Sequence, residues 1–276
     1  MSTTSSPRSG SGRVVATLAI VFGAIIALGT VGSAAASTLT SAAVADSSRT
    51  IAVDGVDRLS LDLSAGQMRV EFADVEQAEL SVTAGVSAQR WTLRRDGDEL
   101  VVRTPQGLFG WSGWGSWGMW GGHGYGDAVL RLPHALAGMD ADLGISAGTL
   151  TVAGDFGTLT TTLGAGALRV SGSAREVSAD ISAGRADLTL ADVGTGDLQI
   201  SAGQLNATLT GSQPQHLALR ASAGSMDVGV PAGDYAVTEH TSAGSFENRI
   251  GSTPGAGSAV QVDVSAGRIV LERGGR

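Results

Sequence analysis

Residues 143–190 read LGISAGTLTVAGDFGTLTTTLGAGALRVSGSAREVSADISAGRADLTL. Three times an apolar–polar alternation runs into a small tripeptide and resumes beyond it: Ser146-Ala147-Gly148, Gly164-Ala165-Gly166 and Ser182-Ala183-Gly184. Alternation with a period of two marks a β-strand with one buried face. The phase slips at each Gly, because Ile145 is followed by Leu150 and Val152, and Ile181 by Ala186, Leu188 and Leu190. A strand cannot change face without a bulge or a corner. Each Gly therefore marks a bend, where its tolerance of positive φ is useful. The Ala before it is expected to be a small inward residue packed at that bend, so that Ala147, Ala165, Ala183, Ala202 and Ala223 stack in one interior column.

The pattern extends in both directions. Ser-Ala-Gly starts at 64, 146, 182, 201, 222, 242 and 265, Gly164-Ala165-Gly166 fills the gap, and Thr83-Ala84-Gly85 is a weaker copy. From 146 onward the steps are 18, 18, 19, 21, 20 and 23 residues. Looser turns are expected at Ala153–Gly157, Ser171–Ser173, Asp192–Gly194 and Gly211–Pro214. A unit of about 20 residues that cannot bury its own apolar face must stack on its neighbours. The expected architecture is an all-β solenoid with Ser-Ala-Gly corners. A meander or sandwich would explain the hairpins but not the fixed phase of Ala-Gly. Residues 134–276 form the regular repeat. Residues 50–133 are less regular, with one good unit at 58–72 and a hairpin at 91–103 turning on Asp96-Gly97. No amphipathic helix is expected after residue 46.

Composition narrows the chemistry. The chain has 276 residues, no Cys, 18 basic residues that are all Arg, and 26 acidic residues. Disulfides, thiolate metal sites, cysteine nucleophiles and lysine-based Schiff-base or P-loop chemistry are excluded. Residues 1–45 hold two Arg and no acid, so the remainder carries 16 − 26 = −10. An acidic body of this kind argues against nucleic acid as a partner.

Val14–Ala36 is uncharged and apolar, long enough to cross a bilayer as a helix. With Arg8 and Arg13 before it, the positive-inside rule places residues 1–13 in the cytoplasm as a disordered tail and the body outside. Residues 37–49 read as a linker. The competing reading is a cleaved signal peptide, with small-residue sites at Ala34-Ala35-Ala36 and Ala43-Val44-Ala45, giving a secreted protein.

Residues 106–127, QGLFGWSGWGSWGMWGGHGYGD, hold four of the five Trp. A segment this rich in Gly forms no regular element and reads as a long loop. Phe109, Trp111, Trp114, Trp117, Trp120 and Tyr125 are the candidate contact surface, toward a membrane, a glycan or an envelope protein.

Other motifs look chemical and have simpler explanations. Gly144-Ile145-Ser146-Ala147-Gly148 has the form of a serine-hydrolase elbow, but the repeat accounts for it and no helix follows. Gly113, Gly115 and Gly118 lack the βαβ setting of a dinucleotide site. His123, His134, His216 and His240 are dispersed. Asp140 and Asp142 read as one solvated strand face, and Asn206, in a glycosylation-type triplet, as an outward strand residue. No catalytic, cofactor-binding or metal-ligating residue is assigned, and no cofactor is expected.

Taken with LSLDLSAGQMRVEF at 59–72 and WTLRRDGDELVVRTP at 91–105, these units resemble the bacterial putative-adhesin family, also called the toastrack type. The resemblance covers about residues 50–276. With an N-terminal anchor, it looks like the versions in high-GC Gram-positive bacteria. It implies a β-solenoid outside the membrane, associated with adhesion or envelope signalling, and carries no catalytic residues. The expected function is a non-catalytic adhesin-like, envelope-sensing or scaffold module. The alternative is a polysaccharide-active β-helix enzyme, which would need clustered carboxylates.

Overall fold

The computed structural model describes residues 47–83, 91–104 and 127–274. They form nineteen strands, and the only helical element among them is a 3-10 turn at His134–Leu136. No described helix is long and apolar enough to cross a membrane, and the apolar run 14–36 lies outside the described residues.

Each coil is a strand, a corner and a second strand. β2 (Arg58–Leu63) and β3 (Gln67–Ala73) flank Gly66, and β8 (Met139–Ile145) and the first half of β9 (Thr149–Leu163) flank Gly148. The rest of β9 and the start of β10 (Ala167–Ile181) flank Gly166, and the rest of β10 and β11 (Arg185–Ala191) flank Gly184. Then come β12 (Thr195–Ile200) and β13 (Gln204–Thr210) about Gly203, and β14 (His216–Ala221) and β15 (Ser225–Val230) about Gly224. The last two pairs are β16 (Tyr235–Thr241) and β17 (Ser245–Asn248) about Gly244, and β18 (Ser258–Val264) and β19 (Arg268–Arg273) about Gly267.

Strands before the corners pair in parallel with one another, as do strands after them, giving two ladders that face each other across the core. Register is tight enough that equivalent residues stack in columns. One interior column runs Leu63, Ile145, Leu163, Ile181, Ile200 and Ala221. The facing ladder contributes Val70, Val152, Val170, Leu188, Ala207 and Val228. All twelve are buried. Burying a Leu, Ile or Val is worth about 1.5–3 kcal/mol, so each added coil strengthens the core it shares with its neighbours. Gly196 stands where Leu217 and Val177 on adjacent coils lean into the space its missing side chain leaves.

The corners depart from expectation in one respect. Ala147, Ala165, Ala183, Ala202 and Ala223 are all exposed, although they do stack. Each donates its amide one coil down, from Ala147 to Ser64 O at 3.1 Å, Ala165 to Ser146 O at 2.9 Å and Ala183 to Gly164 O at 2.9 Å. Ser and Ala both sit on the outside of the bend, so the column they form is an exterior ridge. The residue with no room is the Gly. Gly66, Gly148, Gly166, Gly184 and Gly203 have φ between +104° and +135°. A Cβ on Gly166 would collide with the carbonyl of Gly148, and one on Gly184 with that of Gly166. Gly224, Gly244 and Gly267 lie outside that left-handed range yet are crowded by the same neighbours.

Two expected turns are also different. Ala153–Gly157 and Ser171–Ser173 lie inside the fifteen-residue strands β9 and β10. The chain bends there, with Gly172 at φ +138°, but bends together with its neighbour and keeps its ladder bonds. Phe72 explains part of the composition, because its ring fills the space a side chain on Gly154 would occupy and meets Phe156 edge-on at 6.0 Å. The turns at Asp192–Gly194 and Gly211–Pro214 are as expected.

At one end the stack is closed by strands running the other way. β6 (Glu99–Arg103) and β7 (Asp127–Pro133) complete one more parallel coil on β2 and β3. On its far side β5 (Thr92–Asp96) pairs antiparallel with β6, β4 (Ala78–Thr83) antiparallel with β7, and β1 (Ser47–Ile51) antiparallel with β4. β5 and β6 form the hairpin expected on Asp96-Gly97. β1 takes in Ser47, Ser48 and Arg49 from the stretch read as linker. Thr83 ends an antiparallel strand, and Ala84-Gly85 of the weaker copy lie outside the described residues. At the opposite end sequence order breaks: β18 and β19 stack on β14 and β15, and the earlier pair β16 and β17 lies outside them.

Candidate contact face at the corner edge

The six aromatic residues singled out as a contact surface, Phe109, Trp111, Trp114, Trp117, Trp120 and Tyr125, lie outside the described residues. The two points at which the chain leaves and rejoins the solenoid around them are described. Arg103 is paired with Asp62 on one ladder, and Asp127 with Gln67 on the other. In the coil beneath, those ladders are joined by Ser64-Ala65-Gly66. The strand ends on either side of the Gly/Trp sequence thus match the two ends that a corner joins in the coil beneath. Thr104 marks the departure. Elsewhere the corner Ser amide donates to a main-chain carbonyl, as Ser146 does to Leu63 at 2.9 Å. Ser64 instead donates to Thr104 Oγ1 at 2.7 Å, and that hydroxyl in turn donates to Asp62 O at 3.3 Å. Thr104 is 6% exposed, and this pairing is what satisfies its hydroxyl away from water.

Beside Asp127 the outer face of the second ladder carries a shallow open groove. Gln67, Arg69 and Glu71 of β3, Asp127, Val129 and Arg131 of β7, and Thr149 and Thr151 of β9 line it. Arg131 Nε donates to Glu71 Oε1 at 3.1 Å. Further along, the same face carries a polar network. Asp187 accepts from Asn206 at 2.7 Å and from Arg185 at 3.3 Å, while Arg185 also reaches Gln204 at 3.2 Å. Desolvation opposes the charge on Asp187, but the Asn206 and Arg185 hydrogen bonds and the charges of Arg185 and Arg169 hold its carboxyl below the usual range. Asn206 is outward, as expected, with its amide engaged by Asp187 and Gln204.

Asp140 and Asp142 lie on the other ladder. Asp140 Oδ1 accepts the Thr158 amide at 2.7 Å, at the register shift where β8 meets β9. This is a structural task at a bulge. Burial of its carboxyl, with Glu99 adding like charge, holds Asp142 above the usual range, although the residue as a whole stays exposed. Arg58 stands between Glu99 and Asp140 in their column. Among the described residues no group of His, Asp and Glu gathers with the makings of a metal site. His134 and His240 each lie near one carboxylate, Asp74 at 3.6 Å and Asp263 at 3.9 Å, far apart in the stack. Ser146 sits on the exposed corner ridge, its backbone bonded to the coils on either side.

The outward positions after the corners are Gln67, Thr149, Ala167, Arg185, Gln204, Ser225, Arg268 and Ser245, in spatial order. Asp127 joins this column from β7. The column gathers no acidic cluster of the sort a polysaccharide-cleaving site requires.

No protein-family model matches the chain, and no curated protein matches it. Solved structures do. A putative adhesin from Bacteroides fragilis is 10% identical with a TM-score of 0.48, covering 82% of this chain and 97% of that one. One from Parabacteroides merdae is 11% identical with a TM-score of 0.44, covering 82% and 95%. A putative cell adhesion protein from Clostridium sporogenes is 11% identical with a TM-score of 0.40, covering 83% and 99%.

Proposed function

We propose that this chain is a non-catalytic, adhesin-like binding or scaffold protein. Residues 14–36 hold it in the membrane, and the solenoid stands outside as a platform. The Gly/Trp sequence is its contact with the bilayer interface or an envelope partner. One observation carries the reading: the aromatic-rich insertion springs from the coil next to the antiparallel end, the same end at which the chain enters the solenoid through β1. The apolar run 14–36 precedes β1 in the chain, with the ten residues 37–46 between them. Trp and Tyr favour such an interface, where an apolar ring and a polar N–H or O–H are both accommodated.

The test is crosslinking of the full chain in its native envelope, comparing the parent with Trp111, Trp114, Trp117 and Trp120 all changed to Ser. Loss of lipid or partner crosslinks with an unchanged melting temperature supports the reading. Unchanged crosslinks, or unfolding of the solenoid, refutes it. Protease shaving of intact cells tests the topology, and a body protected in the cytoplasm would refute the anchoring.

A further inference from the structure

Parallel ladders end in rows of unpaired N–H and C=O groups, a template on which any further strand can add. At the end formed by β16 and β17 no described strand covers those rows, and only their start is taken up by the turn after β17, where Val237 N donates to Ser252 Oγ at 3.0 Å and Thr253 N to Tyr235 O at 2.8 Å; the groups from Glu239 onward stay open. A second copy of the chain is the nearest candidate to add there, since its own end presents the same groups related by a two-fold axis.

The interior columns decide whether it can. Val262 faces Leu219 on one side, and both are fully buried. On its other side the column ends in Glu239, and the neighbouring column, from Ala221 through Val264, ends in Thr241. Both end residues are exposed. A copy stacked on this end would close water off from the Glu239 carboxylate and set a second Glu239 close to it. Burying like charges without partners is strongly unfavourable.

The broken sequence order has the same origin. Stacked in chain order, Glu239 would lie between Leu219 and Val262, buried and unpaired. Placing β18 and β19 first fills the inner position with Val260, Val262, Val264, Ile269 and Leu271 and leaves the polar pair at the rim. The coil is held there by its apolar start: Tyr235 is buried and donates its hydroxyl to Pro231 O at 3.0 Å.

We infer that residues 235–248 are a terminator, a coil whose Glu239 and Thr241 stop the solenoid from being extended by a second copy of itself.

The chain has no Cys, so one introduced thiol reports contact at one place. Thr238→Cys puts it on the outward face of β16. The full chain in detergent micelles is compared with the same chain carrying Glu239→Val and Thr241→Val, by sedimentation and by non-reducing electrophoresis after mild oxidation. The expected result is a monomeric parent and a variant whose dimerisation tightens at least about tenfold, with the introduced thiols of two copies trapped as a disulfide. A folded double variant as monomeric as the parent overturns the inference. So does a parent that itself crosslinks at this position. Should the double variant not fold, Glu239→Val alone is read in the same way. Hydrogen exchange on the unaltered chain gives an independent test: slowing of β16 and β17 amides as concentration rises overturns the inference, and its absence supports it.

Discussion

The sharpest test of the corner geometry sets two adjacent residues against each other. Gly184→Ala adds one methyl group at φ +114°, where an L-residue is strained, and drives it into the Gly166 carbonyl of the coil below. The colliding atoms are backbone, fixed by ladder bonds such as Arg185 N to Gly166 O at 2.9 Å, so the coil cannot step aside cheaply. Strain of about 1–3 kcal/mol and overpacking of about 1–3 kcal/mol add to roughly 2–6 kcal/mol. For a domain of this size that lowers Tm by roughly 5–20 °C. Ala183→Leu adds three carbons on the exposed ridge and should change stability by no more than about 0.5 kcal/mol. Thermal melts followed by circular dichroism on both variants settle the matter. If Ala183→Leu destabilises and Gly184→Ala does not, the alanines point inward and the description of the corner is wrong.

Two other perturbations probe separate features. The Ser212 amide and hydroxyl hold Asp192, at φ +57°, below its ordinary pKa of 3.8. The stabilisation is therefore present above that value and lost as pH falls through the lower folded-state value; Asp192→Asn, which tolerates the same backbone, should flatten the pH dependence of Tm in that acid range, and an unchanged profile counts against the assignment. Gly154→Ala should destabilise by about 1–3 kcal/mol through collision with the Phe72 ring. Combining it with Phe72→Leu should recover part of that loss, and strict additivity in the double-mutant cycle would show that the two do not touch.

The strand columns were legible because Leu, Ile and Val recur with period two on both sides of every corner but the one at Gly244, and the slip from Ile145 to Leu150 located each bend. Alternation failed inside the corner itself, where Ser146 and Ala147 both face outward around a left-handed Gly; counting by twos across the bend put Ala147 on the wrong side. The turns at 153–157 and 171–173 misled for a related reason, since Gly and Ser there permit a bend that stays within the ladder. The order of the last two coils was readable in principle: TEHTSAGSFEN at 238–248 carries Glu239, Thr241 and Asn248 at positions that are apolar in the Gly203 and Gly267 coils. The role of Thr104 could not have been found by periodicity, because it lies in a hydroxyl replacing a carbonyl in one ladder bond.

The coil formed by β6 and β7 has a broader consequence. Between Thr104 and Asp127 the chain takes 22 residues to connect points that three residues connect in the coil beneath, yet the strands on either side keep their register with that coil, Arg103 against Asp62 and Asp127 against Gln67. The corner edge therefore tolerates additions of length that the interior columns do not feel. The corners at Gly148, Gly166, Gly184, Gly203 and Gly224 follow one another along the same edge, about 4.8 Å apart, each bonded to the next through its main chain. In a solenoid built this way the core fixes the spacing and order of the strand ends, whatever length of chain connects a pair of them.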